Sequence, residues 1–175
     1  YKLKYFLEEL ENFDLKNKNT LDIGSSTGGF TQILLENSVS KVTCVDVGSN
    51  QLHERIKYDS KIKFFENTDI RAFQSDEIFD IVTCDVSFIS ILHIIEDINR
   101  FASKDIIILF KPQFEVGTKV KRDKKGVVKD KNAILKSRED FLNYTQKLNW
   151  KLKYSSMSKL QGKDGNEEEL FYFSK

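Results

Sequence analysis

Five side chains able to do chemistry stand at or near the ends of short apolar runs. Asp22 lies in Thr20–Ile23, Asp46 closes Lys41–Asp46, and Asp85 closes Phe79–Asp85. Lys111 follows Asp105–Phe110, and Asp69 lies in the polar turn Asn67–Arg71 beyond Ile62–Glu66. Runs of this kind read as buried parallel strands. Ligands of open α/β sheets bind outside the carboxyl ends of such strands, so five polar residues gathered there predict a crevice. Asp46 comes 22 residues after Gly24, near the roughly 20-residue spacing at which an acid meets ribose hydroxyls. Asp69, beside Thr68, is placed to accept from an adenine amino group, with Ile70 packing on the ring. Asp85 and Lys111 end neighbouring strands and would face the reacting group. A lysine there can remove a proton or stabilise an oxyanion, provided burial and neighbouring charge tune its pKa.

The stretch Asp22-Ile23-Gly24-Ser25-Ser26-Thr27-Gly28-Gly29-Phe30 must hold the rest of the ligand. Gly24 permits a tight turn off the strand, and Gly28-Gly29 would let backbone approach a ligand closely. Helical spacing then runs from Phe30 to Glu36-Asn37. A dinucleotide fingerprint wants a second glycine where Ser26 stands. The acid before the turn suits a ligand with an ammonium group, which points to S-adenosylmethionine (SAM) ahead of NAD or FAD. The turn Asp85-Val86-Ser87-Phe88 lacks the prolines that grip a planar amine in enzymes methylating base amino groups. Cys84 precedes Asp85 inside its strand, a poor place for the nucleophile that base C5 methylation needs. A hydroxyl acceptor remains.

These residues need a scaffold. An amphipathic helix is predicted over Tyr1–Asn12, with Leu3, Leu7 and Leu10 on one stripe. After the second strand, Val47-Gly48-Ser49-Asn50 forms a turn beside Asp46, capping a helix from Gln51 to Lys57. Further helices are expected over Ile91–Arg100 and Ala133–Leu148. Trp150–Leu160 and Leu170–Ser174 read as strands around the hairpin punctuation Gln161–Asn166. The fold class is therefore α/β. It is a Rossmann-like, mostly parallel seven-stranded sheet with a C-terminal antiparallel hairpin at one edge and helices on both faces.

The 175 residues suit one domain with a sizeable core. No apolar run nears the roughly 18 residues of a membrane helix, and the first residues lack a signal-peptide pattern. Without an initiator Met, the chain is expected to begin inside a longer protein. Cys44 and Cys84 are too few for a disulfide scaffold or zinc site and fit a reducing cytoplasm. Net charge is only +1, yet Lys111 to Lys131 holds eight basic against three acidic side chains. Such a patch on a near-neutral chain is the footprint of a polyanion site. Lys119, Lys121, Arg122, Lys124 and Lys125 are the expected RNA contacts. They lie on a long, mobile loop from Gln113 to Asp130, with solvated surface as the plain alternative.

The motifs DIGSSTGGFT (Asp22–Thr31), VDVGSNQL (Val45–Leu52), CDVSFIS (Cys84–Ser90), KPQFEVG (Lys111–Gly117), KKGVVKD (Lys124–Asp130) and GNEE (Gly165–Glu168) resemble the TlyA (hemolysin A-like) family. These are ribose 2′-O rRNA methyltransferases with an FtsJ-type catalytic domain. The resemblance implies SAM as cofactor and ribosomal RNA, at a cytidine, as substrate. It also implies a Lys-Asp-Lys-Glu catalytic set of Lys2, Asp85, Lys111 and Glu168, the last chosen from Glu167–Glu169. A small N-terminal RNA-binding module, not in this sequence, belongs to the same pattern. Rival readings are a small-molecule O-methyltransferase, a haemolysin acting on membranes, and a catalytically inactive RNA-binding domain.

Overall fold

The computed structural model describes residues 1–175, apart from the side chain of Lys163. Its strands are β1 (Asn19–Ile23), β2 (Lys41–Val45), β3 (Ile62–Phe65), β4 (Phe79–Cys84), β5 (Ala102–Phe110), β6 (Lys151–Met157) and β7 (Glu169–Ser174). The helices are α1 (Lys2–Glu9), α2 (Gly29–Glu36), α3 (Glu54–Lys57), α4 (Ile95–Phe101), α5 (Pro112–Glu115) and α6 (Lys131–Lys147). The strands form one sheet in the order β3-β2-β1-β4-β5-β7-β6. The first five pair in parallel, and β7 runs antiparallel to both β5 and β6. The C-terminal hairpin thus forms one edge of the sheet as expected, with the one reversed strand, β7, between β5 and the outermost β6. Burial explains the order: Leu170, Phe171 and Phe173 of β7 are fully covered, whereas β6 exposes Lys151 to Tyr154 and suits an edge.

Strand β5 shows how the two faces are filled. Ile106, Ile108 and Phe110 point into a core with Ile95, Ile98, Phe101 and Phe141 of α4 and α6. Ile107 and Leu109 point the other way, to Leu3 and Phe6 of α1 and Ile33 and Leu34 of α2. Side chains alternate faces along a strand, so a continuous apolar run must be covered on both. Each fully buried Leu, Ile or Phe contributes about 1.5–3 kcal/mol.

Three helices differ from their expected extents. Helix α1 stops at Glu9 because Leu10 turns extended, ahead of Asn12 with φ 55°. Helix α3 keeps only four residues, capped by His53 Nδ1 accepting from the Arg55 N–H. The chain before it is drawn toward the glycine turn, where Thr27 O accepts from His53 N at 3.0 Å. Ile91–Arg100 divides into a 3₁₀ turn at Ile91–His93, capped by the Ser90 hydroxyl, and α4.

Candidate active site

The chain leaves β1 through α2 to β2 and β3 on one side, then returns to β4 on the other. This is the topological switch at which open α/β sheets bind ligands. A cleft of about 550 Å³ opens there. Of the residues expected to hold a cofactor, Gly24, Ser26, Asp46, Val47, Thr68, Asp69, Ile70 and Asp85 line it. Asp22, Ser25, Thr27, Gly28, Gly29 and Phe30 lie outside its lining.

The reasons are local. Both Asp22 carboxylate oxygens are occupied under the turn, one by Thr31 Oγ1 at 2.6 Å and one by Thr83 Oγ1 at 3.0 Å. The side chain is fully buried, and burial pushes its carboxyl up to about 7 against the two hydroxyls. Asp22 thus ties β1 to α2 and β4 and does not present its carboxylate to the cleft. Gly28 has φ 100°, and a Cβ there would stand 2.0 Å from Ile56 Cδ1. The left-handed φ demands this glycine, and the space above it is taken by Ile56 of α3. Gly24, with φ 75°, is needed because a Cβ would meet the Asp85 carbonyl oxygen at 2.3 Å.

Across the cleft, Asp46 accepts from Ser26 N and Gly48 N, each at 2.7 Å. Two backbone donors fix its carboxylate and leave lone pairs for ribose hydroxyls. Asp69 is gripped by Arg71, whose Nη2 lies 2.7 Å from Oδ2; that guanidinium holds the Asp69 carboxyl below its ordinary range. Arg71 lines the cleft too, and sequence reasoning missed it because it reads as an ordinary turn charge. At the lip, Phe88 sits at φ 65° with 90% of its surface exposed, its ring 5.0 Å from that of Phe114. A bulky residue in the left-handed region is uncommon.

The four residues of the implied catalytic set form two ion pairs. Lys111 Nζ lies 2.5 Å from Asp85 Oδ1 and donates to Ser87 Oγ at 3.1 Å. Lys2 Nζ donates to Glu168 Oε1 at 2.7 Å. Register brings them to one place. The last pair across β5 and β7 is Phe110 with Glu169, so one antiparallel step further sets Lys111 opposite Glu168. Both then share the face of Leu109 and Leu170, which α1 covers. Glu168 is the buried one of the three glutamates at 2% exposure, and Glu169 instead meets Arg138 at 2.8 Å. Gln113, given no role in the sequence reading, adds a second contact to Glu168 by donating from Nε2 to Oε2 at 2.8 Å.

The segment after Lys111 is tied to the fold at several points. Pro112 opens α5, and Glu115 accepts from Ser90 Oγ at 2.5 Å and Ile91 N at 2.9 Å. Further on, Arg122 bridges Val128, Val127 and Val128 are buried, and Asn166 Oδ1 accepts from Val128 N at 3.1 Å. These contacts tie parts of the loop to the body of the fold, while Lys119, Lys121, Lys124 and Lys125 stay exposed. Arg122 is half-buried and donates to Gly117 O.

Burial pushes the Glu115 carboxyl up from 4.5 to about 7, opposed by the Ser90 and Ile91 donors. The folded chain then keeps a proton that the unfolded chain has lost, so this group's stability contribution falls as pH rises through that window. Glu115→Gln should therefore gain in melting temperature relative to wild type across the same window. Parallel curves for the two proteins would show that Glu115 titrates normally.

The full chain, residues 1–175, matches the model of the family described as FtsJ-like methyltransferase. It is 56% identical over 174 residues to the 23S rRNA (cytidine-2′-O)-methyltransferase TlyA of Campylobacter jejuni, covering 99% of this chain and 68% of that one. It is 36% identical over 156 residues to the 16S/23S rRNA (cytidine-2′-O)-methyltransferase TlyA of Mycobacterium tuberculosis, covering 86% and 58%. The chain thus spans well short of the whole length of these curated relatives. A solved structure described as a hemolysin from Streptococcus thermophilus superposes with a TM-score of 0.91 at 30% identity, covering 99% and 64%. Magnesium protoporphyrin IX methyltransferase of Synechocystis, solved with bound SAH, shares the fold at a TM-score of 0.68 and 12% identity, covering 99% and 79%. The chain belongs to the FtsJ-like methyltransferase family, on its TlyA (hemolysin A-like) branch.

Proposed function

We propose that this protein transfers a methyl group from SAM to the ribose 2′-oxygen of a cytidine in ribosomal RNA. The observation that carries this reading is the two lysine–carboxylate pairs, Lys111–Asp85 and Lys2–Glu168, set side by side by the β5–β7 register, with Asp85 lining the cleft. The relatives named for this reaction support it, as does the family of the chain. Residues fit for SAM are present: Asp46 oriented for ribose hydroxyls, buried Ile70 for the adenine ring, and Asp69 at its edge. SAM, when bound, supplies a methyl on a cationic sulfur that leaves as a neutral thioether.

The chain's own residues then act on the acceptor. A sugar hydroxyl is a weak nucleophile at neutral pH, so its proton must be removed or its oxygen polarised. Lys111, oriented by Asp85 and Ser87, contacts that hydroxyl as base or donor. Lys2, held by Glu168, donates to the oxygen as negative charge develops. Phe88 exposes an aromatic face at the cleft mouth, a surface on which an unstacked base can rest. Among the described residues no helix is long and apolar enough to cross a membrane, and no cluster of three or more ligating side chains could hold a metal. A reaction on ribosomal RNA fits a cytoplasmic setting.

The purified full chain should transfer labelled methyl from SAM to ribosomal subunits, with the label recovered as 2′-O-methylcytidine. Transfer to small hydroxylated molecules but not to RNA would favour a small-molecule enzyme. The exposed lysines supply the electrostatic part of binding. Replacing Lys121, Lys124 and Lys125 by glutamine should weaken RNA binding. The salt slope should flatten by about 0.7 for each lost phosphate contact on single strands. An unchanged slope with intact SAM binding would assign these lysines to solvated surface.

A further inference from the structure

We propose that Gly162 and Gln113 are positioning residues for methyl transfer: together they seat the buried Glu168 carboxylate, and through it the Lys2 ammonium. This rests on the reading of Glu168 and Lys2 as members of the catalytic set.

Glu168 is a carboxylate almost out of solvent, so it must be both paired and given room. Lys2 supplies the charge at Oε1, and Gln113 Nε2 supplies the donor at Oε2, 2.8 Å away. Gln113 makes this contact while its own Oε1 lies buried without a partner. Its position follows from Lys111, two residues earlier, and from Pro112, which turns the chain into α5.

Gly162 supplies the room. It is buried, and a Cβ there would stand 2.2 Å from Glu168 Oε2 and 2.6 Å from Cδ. Its φ of −67° and ψ of 172° suit any residue, so the backbone does not demand glycine. The carboxylate does. This separates Gly162 from Gly24 and Gly28, whose positive φ and neighbouring protein atoms account for them. The seat is anchored on both sides. Gly162 N donates to Asn166 O at 2.8 Å, and the Asn166 side chain accepts from Val128 N at the base of the lysine-rich loop.

An alanine at 162 should therefore fold normally and displace the far end of one flexible side chain. Misplacement of a reacting group by about 1 Å can cost 10²-fold in rate. The experiment uses the full chain with ribosomal subunits lacking the methyl group. Gly162→Ala and Gln113→Leu are each measured alone and combined with Glu168→Gln, with melting temperatures recorded. Each single variant should lose about tenfold to a hundredfold in kcat with SAM affinity near wild type, and Gln113→Leu should also melt somewhat lower because it leaves Glu168 Oε2 without its donor. On the Glu168→Gln background neither should cause further loss, because residues acting through one group are not additive. Wild-type kcat in both single variants, or losses that add in full on that background, would overturn the proposal. If Gly162→Ala does not fold, glycine there serves the backbone, its half of the proposal falls, and Gln113→Leu decides the other half. Glu168→Gln with wild-type kcat would instead overturn the catalytic reading of Glu168 on which the proposal depends.

Discussion

Lys111→Ala is expected to lower kcat by about two orders of magnitude or more while leaving SAM and RNA affinity nearly unchanged. The side chain is 11% exposed, lies 2.5 Å from Asp85 Oδ1 and donates to Ser87, so it is fixed before any substrate arrives. It lies outside the lining of the cofactor cleft, which is why SAM affinity should survive its loss. Lys111→Arg separates its two possible roles. A guanidinium donates but does not give up its proton, and its planar fork does not reproduce a compact ammonium. Rates near those of the alanine variant fit a base, or a donor whose geometry is strict. An arginine variant with most of the activity would rule out the base role. An alanine variant with full activity would remove Lys111 from the mechanism.

Asp46→Ala should cost SAM affinity tenfold or more, since a hydrogen bond to a charged group contributes about 1.5–3 kcal/mol. The carboxylate also anchors the glycine-rich turn through Ser26 N and Gly48 N, and that adds to the loss. Asp46→Asn separates the two effects, because its one remaining oxygen can still accept a backbone donor while the charge is gone. Calorimetry should therefore give an intermediate affinity for asparagine. Unchanged affinity in a folded alanine variant would contradict the placement of the ribose at Asp46.

The outline of the cleft was legible because an acid or lysine closing an apolar run leaves few places for it but a strand's carboxyl end. Asp46 and Asp85, which line the cleft, and Lys111 beside Asp85 could be placed on that ground alone. Lys2 and Glu168 could not. Their meeting depends on β7 lying beside β5 and on which face the register turns to α1, and neither is local. Partners of buried groups were equally hidden. Nothing near Asp22 in sequence shows that Thr83 faces it, and Gly28 answers to Ile56, 28 residues away. Glu115 entered the sequence reading only as a charge diminishing a basic loop. In the fold it joins the start of that loop to Ser90 and Ile91.

The central claim is that the methyl reaches a ribose 2′-oxygen of ribosomal RNA. Mapping 2′-O-methylation across ribosomal RNA from cells with and without the gene tests it most directly. A cytidine should carry the 2′-O-methyl group only when the gene is present, and the mark should return with the wild-type gene but not with Lys111→Ala. Identical ribose methylation in both strains, or a lost mark that proves to lie on a base, would contradict the account.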